Sequence, residues 1–431
     1  MAGESVEQVE STAPVEKVGV REILADRGVR TVIGLALLVM GGFGVVLPVL
    51  PLFGRSFGVD YGTASLLFSV YAFARLGTDL VAGPIVDRYG ERRSGAAGLA
   101  ITCVCALATG LAPSFGVAAA FWGVGGAGSA VMFAAFYSFL LKAVPKERMA
   151  RTLGIFYGAF NGGMIAGGPI GGFVAHAFGL AAPLFLYAGI LGVASVLYLR
   201  LVPEFPGRPA EPPLSTEEAE RERDVPVARH GRTTLKRLFA TPGFTTVLMV
   251  NLAYLFMIAA IFDTLVPFYA KDELGLSTVG IGAVFAVALL AEFVVLYPAG
   301  TAADRRGRKA VLVPSLAALA VMTVLLGWAS TVALFTIGLA LLGLASGYAG
   351  VPPAAMLADV SPSEGSGTAV GAFRFFGDLG LTLGPAVAGY TIKGLGFEEA
   401  FAITAIPTVV ALVLVLRMRE TLRPAVAAGT G

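Results

Sequence analysis

Twelve apolar runs, most of them twenty residues or longer, dominate this chain. They lie near 31–53, 62–86, 94–112, 116–141, 153–177, 182–201, 244–270, 277–302, 310–328, 331–357, 368–390 and 397–416. A helix rises about 1.5 Å per residue, so roughly twenty residues cross the ~30 Å hydrocarbon core of a bilayer. In that core every backbone N–H and C=O needs an internal partner, which leaves helices and closed barrels as spanning structures. The runs lack the alternation over about ten positions that marks barrel strands. Composition points the same way: 56% of residues are hydrophobic and 14% charged, against about 25% charged in a soluble chain. The sequence predicts an all-α membrane protein of twelve transmembrane helices.

Lys and Arg set the orientation. With the N-terminus inside, the inner segments collect 26 of the 31 basic residues. The outer loops keep Arg55, Lys271 and Lys393, while Arg75 and Arg374 fall within spans. Both termini are thus expected in the cytoplasm, with the chain multi-pass in the cell's inner (plasma) membrane. Residues 1–30 are polar, so no cleavable signal is expected in them; they read as a cytoplasmic tail, as do 418–431. One long polar segment, 203–242, contains "PEFPGRPAEPPLSTEEAERERD" and reads as a cytoplasmic linker. It separates six spans (31–202) from six more (243–417). Cys103 and Cys105 sit together in one run, and His176 and His230 lie far apart, so no metal site or disulfide framework is expected.

The two parts repeat each other. From Gly83 the chain reads "GPIVDRYGER", and from Gly300, 217 positions later, "GTAADRRGRK". Each opens on Gly, carries Asp-Arg at the fifth and sixth places and has Gly at the eighth. Gly168-Pro169 and Gly384-Pro385 recur at an offset of 216. Two anchors in register within one residue predict a six-helix unit duplicated in parallel, an arrangement that places a substrate site between the units near the midplane.

On these residues the chain resembles the major facilitator superfamily. Gly83 to Arg93 is similar to its motif A, G-x-x-x-D-R-x-G-R-K/R-x, and Gly300 to Lys309 is a second copy closer to the consensus. "VPKERMARTLG" (144–154) and "SPSEGSGTAVG" (361–371) resemble the loops leading into spans five and eleven. The resemblance covers nearly the whole chain except the termini and linker. It implies two pseudo-symmetric six-helix bundles, and a gating role for Gly83, Asp87, Arg88, Gly90, Arg92, Arg93, Gly300, Asp304, Arg305, Gly307, Arg308 and Lys309. A positive-inside anchor would account for the basic residues alone. It does not account for the aspartates or the fixed glycines, which suit close helix approach and a carboxylate facing a helix N-terminus. The expectation is an inner latch, closed when the protein faces outward.

Ionisable side chains inside a membrane cost roughly 2.5–3.5 kcal/mol on insertion scales, so each is a functional candidate. Arg75/Asp79 and Arg374/Asp378 are i,i+4 pairs. The family's arrangement sets span two against span eleven, which would bring Asp79 near Arg374 and Arg75 near Asp378. Two separate intrahelical pairs remain the alternative. Glu292 occupies the repeat position of Arg75, with Asn161 of span five at a depth to meet it. Burial disfavours a charged carboxyl, which makes Glu292 the leading proton-coupling candidate, with Asp79, Asp378 and Asp263 beside it. Asp263 also reads as an outer vestibule residue or a partner of Lys271, and Asp359 as part of the cytoplasmic mouth.

The drug:proton antiporter branches are the nearest resemblance, with two departures. Where motif B, R-x-x-x-G-x-G, has its arginine, this chain has Trp122, though Gly126 and Gly128 match. Motif C ends G-x-x-x-G-P-x-x-G-G; here Gly168, Pro169, Gly171 and Gly172 remain as a span-five hinge or a close-packing seam, and Met164 replaces the earlier glycine. Phe43, Trp122, Tyr137, Tyr157, Asn161, Tyr254, Tyr348, Phe375 and Phe376 are the cavity candidates. Few fixed charges argue against a polyphosphate and for a small hydrophobic or amphipathic substrate. The expected function is proton-coupled export by alternating access. An importer or uniporter of a small metabolite is the runner-up, and a non-transporting sensor stands behind it. No catalytic constellation, HExxH or Walker A is present, so an enzyme is not expected. A small molecule, protons and the bilayer are the expected partners, with no cofactor, no nucleic acid and a monomeric state.

Overall fold

A computed structural model describes residues 20–204, 237–361 and 366–421. The expected linker, most of both tails and the loop before span eleven therefore lie largely outside the described residues. Among the described residues twelve helical spans appear: Arg27–Val46, Tyr61–Tyr89, Glu91–Gly110, Phe115–Ala143, Lys146–Phe178 and Ala182–Leu201 form the first bundle. The second holds Phe244–Asp272, then Thr278–Arg306, Arg308–Leu326, Val332–Gly350, Ser366–Leu395 and Phe397–Arg417. Span seven is interrupted by a π turn at Ile261–Leu265, and span ten runs on into a short helix, Pro352–Val360. An even number of spans puts both described chain ends on one side, called the inner side below.

Local chemistry explains the helix starts. Asp60 accepts from the Thr63 N–H at 2.8 Å and caps span two; Ser277, 217 positions on, accepts from the Gly280 N–H at 3.3 Å and caps span eight. These side chains satisfy N–H groups that a helix start leaves without partners. The turns after spans two and eight are made by Gly90 and Gly307, whose φ of +82° and +101° disfavour any side chain.

Backbone contact between small residues holds the spans together. A Cβ at Gly163, Gly167 or Gly171 of span five would strike the carbonyl oxygens of Leu37, Gly41 and Val45 in span one. The repeat shows the same seam: Gly380 and Gly384 of span eleven meet the carbonyls of Leu252 and Phe256 in span seven. Apolar side chains gain nothing by leaving lipid, so close backbone packing supplies the association. Between bundles, span two lies against span eleven and span five against span eight. Gly172 touches Thr278 and Gly168 approaches Gly282. Span five is unbroken through Pro169, so the expected hinge at Gly168, Pro169, Gly171 and Gly172 is a packing seam in this conformation. Its glycines serve span one on one face and span eight on the other.

The two bundles are clasped on the outer side. Asp272 accepts from the Tyr61 hydroxyl at 2.8 Å and faces Arg55 at 3.7 Å. The Arg55 guanidinium lies 3.9 Å from the Tyr61 ring centre, and Lys393 pairs with Asp60 at 2.9 Å. The Thr278 hydroxyl donates to Gly172 O at 2.8 Å. On the inner side Tyr89, Tyr157 and Tyr297 stand exposed, the last at 86%. The molecule is closed outside and open inside.

Candidate functional site

Where the bundles face each other lies a cavity of about 370 Å³. Its first-bundle wall is aromatic: Phe43, Phe68, Tyr71, Phe133, Phe160 and Tyr187, with Arg75 and Asn161 as the polar groups. The second bundle contributes Tyr254 and Phe262 together with three carboxyl side chains, Asp263, Glu292 and Asp378. The carboxyl groups are therefore all on one wall, and the more aromatic wall carries the cation Arg75.

Each carboxyl has its own setting. Glu292 accepts a hydrogen bond of 3.3 Å from the Tyr254 hydroxyl, which lies 3.2 Å from the Ser346 hydroxyl. Asn161 shares the cavity, but its side-chain amide donates to the Tyr157 carbonyl at 2.9 Å. The expected Asn161 contact is thus replaced by a tyrosine from span seven. Asp263 sits in the π turn, where an extra residue per turn rotates it toward the cavity. It has no hydrogen bond or ion pair among the described residues, and Lys271 is not its partner.

The cross-bundle charges meet in part. Asp79 lies 3.6 Å from Arg374 across the interface and 3.8 Å from Arg75 on its own helix. Arg374 reaches over to Asp79 and makes no ion pair with Asp378 among the described residues. Asp378 is 9% exposed and feels Arg75, Asp79 and Arg374 together. Arg75 also stands 5.4 Å from the Phe133 ring centre.

Several cavity candidates lie elsewhere. Trp122 is 1% exposed and packs behind the wall, 5.2 Å from Tyr71 and 6.4 Å from Tyr187 between ring centres. Its bulk and apolarity suit the bundle core, and its indole N–H has no partner among the described residues. Tyr137 and Tyr157 pair near the inner opening, in the field of Arg75 and Arg374. Tyr348 faces a groove between spans nine and ten. Phe375 is exposed and Phe376 packs on the core; as neighbours on a helix they point about 100° apart, and neither lines the cavity. The sequence reading missed Phe68 and Tyr71. They precede Arg75 by seven and four residues, the spacing of one helix face.

The motif A residues form two related clusters at the inner ends. Arg92 donates to Leu199 O, and Lys309 donates to Leu416 O at 2.7 Å and to Met418 O at 2.9 Å. Donor and acceptor both recur at an offset of 217, so each basic side chain caps the carbonyl end of its bundle's last helix. Beside them Glu91 binds Lys142 and accepts from the Ser138 hydroxyl at 2.8 Å. At the same offset Arg308 binds Asp304 and lies 3.4 Å from Asp359. The duplicated pair keeps its place and reverses its sign. Glu420 accepts from the N–H groups of Arg308 and Lys309, both at 3.0 Å, at the start of span nine. Arg93 pairs with Glu204 at 3.5 Å.

Close approach at Gly83 and Gly300 is absent here. A Cβ at Gly83 would meet nothing within 4 Å, and at Gly300 only Val351 at 3.9 Å. Asp87, Arg88 and Arg305 are exposed, as is the Asp304 carboxylate at 71%. With the inner side open, the helices these residues would meet stand apart.

A central cavity between two pseudo-symmetric helical bundles, sealed on one face and open on the other, defines a membrane transporter. The chain belongs to the major facilitator superfamily, whose family model matches residues 32–294 and 271–430. Curated relatives carry multidrug-resistance names. Multidrug resistance protein MdtG of Rahnella sp. (strain Y9602) is 34% identical over 161 residues, which is 35% of this chain and 38% of the relative. Multidrug resistance protein 2 of Bacillus subtilis (strain 168) is 27% identical over 163 residues, 38% of this chain and 40% of the relative. The matches thus span well under half the length of these relatives. Among solved structures, the nucleoside transporter NupG superposes with a TM-score of 0.72 at 14% identity, covering 91% of this chain and 99% of that one. A D-xylose–proton symporter gives 0.71 at 14%, with 91% and 98% covered. At that identity the likeness concerns the fold.

Proposed function

We propose that this chain is a proton-coupled exporter of small hydrophobic or amphipathic molecules, set in the inner membrane with both termini in the cytoplasm. The observation that carries the reading is the two-sided cavity, aromatic on one wall and carboxyl-bearing on the other. Substrate would enter from the open inner side and rest against Phe43, Tyr71 and Phe133. Proton uptake at Glu292, Asp263 or Asp378 would accompany the return step, with the Asp79 network coupling charge to bundle movement. The names of the curated relatives support export, and Lys and Arg distribution supports the orientation.

One observation favours a uniporter: buried Trp122 leaves span four with no cation facing the cavity. Reconstitution into liposomes with an internal pH dye separates the two. Lipophilic dyes should drive proton movement with the parent protein, and Glu292→Gln should uncouple it. Dye flux without any pH change would establish the uniporter and overturn antiport.

A further inference from the structure

On the outside of the second bundle lies a groove of about 500 Å³ between spans nine and ten, roofed at its inner end by the tip of span eight. Its origin is legible in the duplication. In the first bundle spans three and four touch at Gly98 and Gly128, where a Cβ on Gly98 would sit 2.7 Å from Gly128 O. The positions 217 further on are Ser315 and Ala345, and both line the groove. Each replacement adds a Cβ where the first bundle tolerates none, so spans nine and ten stand apart and leave a furrow. The furrow floor on span nine is Ala310, Pro314, Ala318 and Met322, one helix face four residues apart. Leu341 and Leu344 form its lip, at 45% and 37% exposure.

Length and charge identify the occupant. From Ala310 to Met322 a helix rises about 18 Å, close to the ~15 Å hydrocarbon depth of one leaflet. At the inner mouth stands Arg306, at the position where the first bundle has Tyr89. Arg306 has no ion pair among the described residues, whereas the nearby Arg308 is bound to Asp304 and Asp359. We propose that this groove holds one acyl chain of an anionic phospholipid from the inner-side leaflet, with its phosphate on Arg306. A basic residue at the headgroup level beside a furrow between spans is the chemistry that selects anionic over zwitterionic lipids. The site is peripheral and independent of the central cavity.

Native mass spectrometry of the full chain tests this, using phosphatidylglycerol and phosphatidylcholine of identical acyl chains. The parent should retain phosphatidylglycerol about fivefold better, the preference one interfacial cation supplies. Arg306→Gln should abolish the preference, while Arg200→Gln, at the inner end of span six, should leave it intact. Ala318→Leu, which fills the furrow and leaves Arg306 in place, should lower retention of both lipids. Equal retention of the two lipids by the parent overturns the assignment. So does an Arg306→Gln variant that behaves like Arg200→Gln.

Discussion

Exchanging the charges of Glu91 and Lys142 tests the inverted repeat directly. Glu91 is 5% exposed in its side chain and Lys142 47%. Breaking a buried pair from one side costs about 3–5 kcal/mol, and solvent access to Lys142 reduces that to about 2 kcal/mol. Glu91→Arg sets a guanidinium against the ammonium and strips Ser138 of its acceptor. Lys142→Asp sets two carboxylates together. Each single variant should melt about 4–8 °C below the parent for a bundle of this size. The double variant Glu91→Arg with Lys142→Asp recreates what Arg308 and Asp359 already do in the second bundle. The new arginine would also have Asp87 four residues before it, as Arg308 has Asp304. It should recover to within about 1 kcal/mol of the parent, giving a coupling energy of about 3 kcal/mol in the cycle. Thermal melts of the four purified proteins in one detergent measure it. A double variant no more stable than the worse single would refute the reading, because packing at these positions and not their opposite charge would then be decisive.

Three further outcomes follow from the geometry. Asp272→Asn, which weakens the contacts to Arg55 and Tyr61, should shift the population toward the outward-open state about fivefold, read by spin-label distances across the outer side. The Asp60 carboxyl is held below its ordinary range, first by the Thr63 N–H and then by Lys393, so its stabilisation is present above the unfolded carboxylate pKa and lost only as pH falls through the lower folded value; the same distances should not change between pH 8 and 5 on its account. Gly171→Ala should cost about 1–3 kcal/mol through collision with Val45, whereas Gly83→Ala, whose Cβ would meet nothing within 4 Å here, should leave the melt unchanged; slowed transport by that variant is the outcome expected of an inner latch that closes on Gly83 in the outward-facing state.

The fold was legible because each span had to be long, apolar and helical, and because the duplicated motif fixed the pairing of the halves. The span two to span eleven contact of Asp79 with Arg374 followed from the helix arrangement that the family resemblance implies, together with depth along the two helices. The cavity wall was harder to read. Aromatic residues serve equally well in a bundle core, at the lipid face or in a pocket, and only rotation about the helix axis decides which. Trp122 and Phe68 differ in that rotation and in nothing the residue type records. Asp263 owes its place to a π turn, which shifts the register by one residue without a sequence signal.

The sign reversal between Glu91–Lys142 and Arg308–Asp359 also bears on how the chain assembles. Two bundles with one architecture invite an exchange of equivalent helices during insertion. Span three docked on span ten would bring Glu91 against Asp359, and span nine docked on span four would bring Arg308 against Lys142. Both mistakes put like charges together, so an ancestral duplication that made the halves interchangeable has been given a polarity that tells each helix which half it belongs to.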